Sequence, residues 1–340
     1  MGRKAWMRGR RGAFACACTC AAALLGGCGE NRQSTLDPHS SSAHDITTLW
    51  CGMLAAAGVV FAGVLLLIGI SIARRRREGF PVLGSDERKV TGLIVAFGIV
   101  IPVVTLTVLF FIADIGVVKA TDAPSPGQTK MTIEVTGRQW FWEARYPRSG
   151  AVTANEIHIP VRTPVKVIVT SPDVIHSFWV PELNKKVDAI PGYRNDLLLY
   201  ADKPGVYRGQ CAEFCGLQHA KMAMAVYADP PRRFEAWLRQ EAKPVAPSPA
   251  QSPGFQVFNQ NDCGNCHTLR GTSARGNIGP DLTHLMSRKT LGALTIPNTP
   301  NDLSAWVRDP QQFKPGNKMP QLGIPRAQFT QLMTFLRSLE

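Results

Sequence analysis

Two clusters of sulfur- and nitrogen-bearing side chains stand out in the printed sequence. The first holds two cysteines, two histidines and a methionine, at Cys211, Cys215, His219, Met222 and, upstream, His176. Thiolates, imidazoles and a thioether suit copper better than any hard cation. A structural zinc site of the Cys2His2 type is an alternative, but it leaves Met222 unexplained. The spacings also match one face of a helix, although Gly216 and strand-like flanks make that helix poor.

The second cluster is a Cys-x-x-Cys-His motif, at Cys263, Cys266 and His267, which is the attachment signature of c-type haem. In this signature the two thiols bond to the haem vinyl groups and the histidine is the proximal iron ligand. Met319, in a Lys-Met-Pro sequence before a predicted terminal helix, is the expected distal ligand, and Met/His ligation favours electron transfer over oxygen binding. Met286 competes weakly for this role, and a thiol redox or zinc site is the alternative for the whole motif.

The elements that must position these clusters change in character along the chain. Short β-type runs separated by Gly, Pro, Asn and Asp clusters predict an antiparallel sandwich or barrel. The predicted strands are 131–135, 140–146, 156–161, 165–170, 177–180, 196–200, 206–211 and 222–227. A Pro-rich linker is predicted at 239–254, and with such a tether docking of the last domain need not be tight. The predicted helices are 234–241, whose end overlaps this linker, and 255–266, 302–308 and 326–339 beyond it.

Composition and apolar runs indicate a membrane protein. The chain has 340 residues, of which 45% are hydrophobic and 19% charged, and this composition excludes a disordered protein. Residues 49–73 and 90–118 are each long enough to span a bilayer, which takes roughly 20 residues, and they predict a transmembrane hairpin at 49–118. The basic run 74–77 places the short loop in the cytoplasm, so the chain after residue 119 is expected outside. The net charge of +13 lies mostly beside apolar segments and predicts no nucleic-acid partner.

The N-terminus has the pattern of a secretory signal peptide over residues 1–28. A basic region precedes apolar residues 13–25, and small residues follow. The sequence Leu25-Gly-Gly-Cys28 resembles a bacterial lipoprotein lipobox, and this resemblance implies cleavage before Cys28 and lipidation of its thiol. An ordinary signal peptide with an incidental cysteine is the alternative.

Residues 45–238 resemble subunit II of the haem–copper cytochrome c oxidases. The matching segments are 137–142, 173–178, 188–192 and 211–222, after a two-helix hairpin. The resemblance implies a cupredoxin domain with a dinuclear copper centre, bridged by Cys211 and Cys215. In the family, His176 and His219 would be terminal ligands, and Met222 and the Glu213 carbonyl weak ligands. Two further implied roles are a shared magnesium ion at Glu213 and electron uptake at Trp140.

Residues 255–340 resemble a small class I cytochrome c, with one covalent haem. The two resemblances together imply three parts: a transmembrane hairpin, an all-β cupredoxin-like domain at 129–238 of Greek-key type, and an all-α cytochrome c domain. They imply a subunit II that passes electrons from cytochrome c, through haem c and two copper ions, to the haem of subunit I, for oxygen reduction coupled to proton translocation.

The expected partners are subunit I, other oxidase subunits, a soluble or membrane cytochrome c and an upstream quinol–cytochrome c reductase. The expected location is the bacterial inner membrane, with the soluble domains on the periplasmic side. There are three alternatives: a nitrogen-oxide reductase component with a similar copper centre, a copper-delivery lipoprotein, which belongs to a different functional class, and a quinol oxidase subunit, which resembles this fold. The last class lacks the copper ligands, all of which are present here.

Overall fold

The computed structural model describes residues 33–74, 87–119, 121, 123–125 and 127–340. The predicted signal peptide, with Cys28, and the basic loop after the first apolar helix lie outside the described residues. The signal peptide, the lipidation and the domain boundaries stay predictions.

Two long apolar helices follow one another, α1 (Ser41–Arg74) and α2 (Glu87–Val118). Both are long and apolar enough to cross a membrane, and their large side chains, such as Phe61 and Phe97, are exposed. Helix α2 contains a wider π turn, in which the N–H of Ile101 donates to the carbonyl of Ala96. This turn comes directly before Pro102, which has no N–H to donate, so the two irregularities share one place in the helix.

The next part of the chain is a sandwich of two five-stranded sheets. In chain order the strands are β1 (Met131–Arg138), β2 (Phe141–Tyr146), β3 (Ala151–Ala154), β4 (Glu156–Pro160), β5 (Val165–Thr170), β6 (His176–Trp179), β7 (Val187–Ala189), β8 (Asn195–Leu199), β9 (Gly205–Cys211) and β10 (Ala223–Asp229). One sheet has the order β3–β2–β1–β5–β8 and the other β4–β10–β9–β6–β7. Helix α3 (Pro231–Glu241) follows the last strand.

Alternating side chains explain why these strands fill one core. In β5, Val165, Val167 and Val169 are fully buried, whereas the side chains between them are partly exposed. Trp142 and Phe178 meet edge to face between the sheets, with ring centroids 5.6 Å apart. The two inner faces therefore bury one continuous apolar layer, as a sandwich requires.

The predicted architecture agrees with the structure: two apolar helices, an all-β sandwich domain and a helical C-terminal domain. Two details of the β domain differ from the expectation. The short strands β3 and β7 were not predicted, and two strand pairs, β1 with β5 and β4 with β10, are parallel in a sandwich expected to be antiparallel. These parallel pairs arise because the chain crosses between the two sheets before it returns.

A second core lies in the helical C-terminal part. Its helices are α4 (Pro247–Ala250), α5 (Pro253–Gln260), α6 (Cys263–Cys266), α7 (Pro300–Arg308), α8 (Pro310–Phe313) and α9 (Arg326–Arg337). Helices α5 and α9 approach so closely at Gly254 that a Cβ there would lie 2.2 Å from the carbonyl oxygen of Gln331. Phe258 and Phe335 fill the space beside this contact, with ring centroids 5.8 Å apart.

The segment predicted as a linker is folded against both domains. Helix α3 extends into it as far as Glu241, and helix α4 lies within it. Val245 is buried in the second core, and its N–H donates to the carbonyl of Arg270. Glu156 of the β domain accepts hydrogen bonds from the backbone N–H groups of Lys289 and Thr290, so the C-terminal domain packs on the β domain more closely than a tethered donor requires.

Candidate metal and haem sites

The predicted copper ligands come together at one end of the sandwich. His176 begins β6 and Cys211 ends β9, and these strands pair with Phe178 opposite Cys211. Cys215 and His219 lie in the loop that leaves β9, and Met222 directly precedes β10. The sheet thus provides two ligands, and one short loop provides the others.

The predicted ligand atoms are grouped around two neighbouring thiols. The Sγ atoms of Cys211 and Cys215 are 3.8 Å apart, and the Nδ1 of His176 lies 3.9 Å from the Sγ of Cys211. The Sγ of Cys215 lies 3.7 Å from both the Nδ1 of His219 and the Sδ of Met222. The carbonyl of Glu213 lies 3.3 Å from the Sγ of Cys211. All six predicted donors therefore belong to one cluster, and two central thiols with nitrogen and thioether donors outside them fit copper.

Asp173 orients one of the histidines. Its carboxylate lies 2.9 Å from the Nε2 of His176, which turns the Nδ1 toward the thiols. Burial opposes ionisation of Asp173, but hydrogen bonds from His176 and the N–H groups of Gln139 and Val174 outweigh it and lower the pKa of this carboxyl. Burial likewise opposes charge on His176, yet its bonds to Asp173 and Cys211 raise the pKa of the imidazole.

The two thiols ionise unequally. The neighbouring Cys215 thiol, against the cost of burial, lowers the pKa of Cys211 to about 3, and His176 contributes in the same direction. The same pairing, together with burial, raises the pKa of Cys215. One thiolate is therefore favoured in the protein alone, and a bound cation is what would make both thiolates stable together.

Two side chains of the β1–β2 turn bond to the loop 212–222, which contains predicted copper ligands and which we call the copper loop. The Nε2 of Gln139 and the Nε1 of Trp140 both donate to the carbonyl of Cys215, at 2.8 and 2.9 Å. Trp140, the residue predicted to take up electrons, is therefore hydrogen-bonded to the backbone of a predicted copper ligand.

The haem attachment motif faces a cavity of about 500 Å³ with a mainly apolar wall. Cys263 and Cys266 line it as free thiols, and burial raises the pKa of Cys263 to about 11, which disfavours thiolate redox chemistry. The Nδ1 of His267 donates to the carbonyl of Pro280 at 2.8 Å, so its Nε2 is left as the ligand atom. Burial lowers the pKa of His267, which favours the neutral imidazole that binds iron.

Gly279 and Met319 complete the walls of this cavity. A Cβ on Gly279 would lie 2.4 Å from the Cε1 of His267, so only glycine lets the backbone pack on the ring. Met319 lines the cavity, and its backbone N–H donates to the Oδ1 of Asn317 at 2.8 Å. Met286 does not line the cavity but packs on the second core. The motif, the apolar walls and Met319 together fit a covalently held haem.

Residues of the β domain form part of the same cavity wall. They are Gln139, Trp140, Phe141 and Asn155. The sequence alone did not predict this contact, because nothing in either motif indicates which surface the other domain covers. Arg288 was missed as well: it is buried, it lines the cavity, and its Nε has no hydrogen-bond partner among the described residues.

Comparison with known proteins agrees with the order of these domains. Residues 148–228 match the family described as cytochrome c oxidase subunit II, periplasmic domain, and residues 251–340 match the cytochrome c family. Cytochrome c oxidase subunit 2 of Alkalihalophilus pseudofirmus is 33% identical over 93% of this chain and 94% of its own length. The same subunit of Bacillus sp. strain PS3 is 30% identical, over 88% of both chains.

A solved structure was also found to be similar to part of this chain. The periplasmic domain of subunit II of the Bradyrhizobium japonicum cytochrome oxidase is 33% identical and covers 35% of this chain and 96% of that domain, at a TM-score of 0.33. The family membership rests on the full-length relatives, whose similarity runs through both soluble domains. Family membership implies copper in the β domain and haem c in the helical domain, and the donor sets described above fit both. The chain belongs to the cytochrome c oxidase subunit 2 family, and it carries a cytochrome c domain after the copper-binding domain.

Proposed function

We propose that this chain is the subunit of a haem–copper oxidase that receives electrons from an external cytochrome c and delivers them to the haem of subunit I. The observation that carries the proposal is the position of Trp140, which lines the haem cavity and donates a hydrogen bond to the carbonyl of Cys215. When bound, haem c and a dinuclear copper centre would each accept and release single electrons. In the complex this transfer would support oxygen reduction coupled to proton translocation.

Each donor of the cluster would have a separate role. Cys211 and Cys215 would bridge two copper ions, because their Sγ atoms lie at the centre of the cluster. His176 and His219 would be terminal ligands, each adjacent to one thiol, and Met222 and the Glu213 carbonyl would be weak ligands. Cys263 and Cys266 would hold the haem by thioethers, with His267 and Met319 as axial ligands.

The protein matrix would keep the copper site dry and rigid. Cys211, Cys215, Met222 and His176 are almost completely buried, and Asp173 holds the His176 ring in place. A rigid, buried donor set changes little between two oxidation states, so little energy is lost in reorganisation. Gln139 and Trp140 add to this rigidity, because they fix the loop at the Cys215 carbonyl.

The exposed surface beside the copper loop would be the contact with subunit I. Phe214 is 76% exposed although it lies next to a buried ligand, and an exposed aromatic residue at such a place favours a protein partner. Glu213 would bind magnesium at this interface. The helices α1 and α2 would anchor the chain in the bacterial inner membrane, with both soluble domains on the periplasmic side.

The test is spectroscopy and kinetics on the purified oxidase complex. We expect an electron paramagnetic resonance signal with one electron shared over two copper nuclei, a low-spin haem c, and copper reduction after rapid reduction of haem c. A mononuclear copper signal, or copper that a mild chelator removes, would favour the copper-delivery alternative. Reduction of nitrogen oxides in place of oxygen would favour the reductase alternative.

A further inference from the structure

One short segment connects the copper loop to Met319, the predicted distal ligand of the haem iron. Residues 313–318, which we call the clasp, directly precede Met319 and lie on the copper loop. The Nζ of Lys221, next to Met222, donates to the Phe313 carbonyl at 2.5 Å, and the Nε2 of Gln218 donates to the Pro315 carbonyl. Lys318 forms an ion pair with Asp173 at 3.7 Å. Contacts therefore run from the residues around the predicted copper ligands to those before the predicted iron ligand.

Lys314 lies at the centre of the clasp. Only 3% of it is exposed, and its ammonium donates to three carbonyl oxygens. Two belong to the β domain, those of Trp140 at 3.0 Å and Lys221 at 2.9 Å, and one belongs to the helical domain, that of Gly292 at 3.2 Å. An ammonium has three protons, so all of them are used.

Burial of the Lys314 ammonium costs free energy, which indicates that this side chain has a specific role. A buried charge is destabilising unless hydrogen bonds compensate it. Burial, and to a smaller extent the positive charge of Lys221, lower the pKa of Lys314 to about 7. A methionine or leucine would fill the same space without this cost, so stability of the helical domain alone does not explain a lysine here.

The clasp is also rigidly connected to Met319. The amide of Gln311 donates to the carbonyls of Asn317 at 3.0 Å and Met319 at 2.7 Å, and its oxygen accepts from the N–H of Gly316 at 2.8 Å. A displacement of Lys314 would therefore reach the residue that lines the haem cavity. On the other side, the carbonyl that Lys314 binds belongs to Trp140, whose ring is part of the same cavity wall.

We propose that Lys314 is a positioning residue that fixes the haem domain on the copper domain, with the haem cavity closed by Trp140. This proposal rests on the proposed function, since the position is useful only if electrons pass between the two sites. It implies that the haem domain, as electron donor, stays docked on the copper domain. The linker then connects the two domains covalently and does not need to allow repeated undocking and docking.

The test compares three variants of the purified oxidase complex. Lys314→Met removes the three hydrogen bonds and keeps an unbranched side chain. Lys221→Met removes one clasp hydrogen bond from an exposed position, so its folding is not at risk. The matched control is Lys289→Met, because the Lys289 side chain is exposed and its hydrogen bonds to Glu156 of the other domain are donated by the backbone N–H, which the substitution keeps.

Two measurements report on the docking. Hydrogen exchange of the backbone amides at 313–319 should accelerate by roughly tenfold or more in Lys314→Met, by less in Lys221→Met, and not in the control, because a few hydrogen bonds hold the docked state. Electron transfer from pre-reduced haem c to copper should slow in the same order, as the docked fraction falls. The copper spectrum should stay unchanged, because none of the three carbonyls that Lys314 binds belongs to a predicted copper donor.

The outcomes separate the two proposals. Electron transfer in Lys314→Met as fast as in wild type and the Lys289→Met control, with unchanged hydrogen exchange at 313–319, would show that Lys314 does not position the haem domain. If Lys314→Met fails to accumulate, Lys221→Met decides. Hydrogen exchange and electron transfer at the wild-type rates in Lys221→Met would contradict the proposal that the clasp holds the two domains together. If wild type itself shows no transfer from haem c to copper, the proposed function is wrong, whereas the exchange measurement still tests the docking.

Discussion

Individual side chains act in this protein mainly by holding other side chains. Asp173 fixes the ring of His176, and the carbonyl of Pro280 fixes the ring of His267. In both cases one ring nitrogen is occupied by a hydrogen bond, so the other is left for a metal. The metal-binding geometry is therefore built into the protein by neighbours that are not ligands themselves.

Replacement of Cys215 by serine tests the central thiol pair. Cys215→Ser should abolish the dinuclear centre, because a hydroxyl is too hard and too weakly acidic to bridge copper. Reduction of haem c by an external donor should persist, while oxygen consumption falls to the background. The measurement is the near-infrared copper absorption together with oxygen uptake of the complex. A variant that retains both would show that Cys215 is not a bridging ligand.

Replacement of Met319 tests the distal haem ligand. Met319→Ala should lower the reduction potential of haem c, on the order of 0.1 V, because a methionine ligand stabilises the reduced iron. The Met–iron charge-transfer band should disappear from the spectrum of the oxidised protein. Met286→Ala is the control, since Met286 packs on the second core outside the cavity. If only the control lost the band, the assignment of the two methionines would be reversed.

At the residue scale the sequence predicted the donors but not what surrounds them. The spacing of Cys211, Cys215 and His219 indicates a metal site without any structure, because a short loop must bring them together. Lys314 carries no such signal, since a lone lysine in a helical domain is normally solvated. Its partners are backbone carbonyls, which any sequence contains, so only the docked structure reveals its position.

At the scale of elements, the strands with alternating valines could be predicted and the shortest strands could not. Strand β5 shows a period of two, and its prediction at 165–170 agrees with the structure. Strand β3 is buried along its whole length and contains two alanines, so it has no alternation to recognise. The strand register that brings His176 beside Cys211 depends on pairing between distant segments, which the sequence pattern does not contain.

Helix α3 ends at a buried acid that makes stability depend on pH. Burial raises the pKa of Glu241 to about 7, and Arg288 and Arg270 only partly offset it. Above about pH 4.5, the ordinary pKa of a glutamate, Glu241 loses its proton in the unfolded chain but keeps it in the folded protein. The stabilising contribution is complete below about pH 4.5, and it is lost as the pH rises to about 7.

Glu241→Gln should remove this dependence. Between about pH 4.5 and 7, the free energy of unfolding of wild type should fall relative to that of the variant by about 3 kcal/mol in total. Above about pH 7 the difference between the two should stay constant. Thermal unfolding of the complex, followed by haem absorbance across this range, measures it. Glu235→Gln is the matched control, because Glu235 lies on the exposed side of the same helix. Parallel pH profiles for wild type and Glu241→Gln would contradict the assignment.

At the scale of the whole molecule, two separate hydrophobic cores are joined over an interface that forms part of the haem cavity wall and lies beside the loop of the predicted copper ligands. Glu156 of the β domain accepts hydrogen bonds from the N–H and hydroxyl of Thr290, at 2.9 and 3.0 Å. Arg270 of the helical domain donates to the Gly150 carbonyl at 3.2 Å. The order of domains was predictable from composition and motifs, but the orientation was not, because polar contacts of this kind leave no pattern in either sequence segment.

Removal of the helical domain tests whether that interface is the electron path. All copper donors lie between His176 and Met222, in a β domain with its own core, so truncation after residue 243 should leave the copper centre in place. With a small-molecule reductant and no added cytochrome, oxygen uptake of the truncated complex should fall sharply, by roughly tenfold or more, since the truncated chain lacks the donor domain that the intact chain holds against Trp140. The copper signal per complex serves as the internal control. Equal uptake by whole and truncated complexes would place the haem domain outside the electron path, because the copper centre would then receive electrons as readily from the reductant in solution as from the domain that covers Trp140.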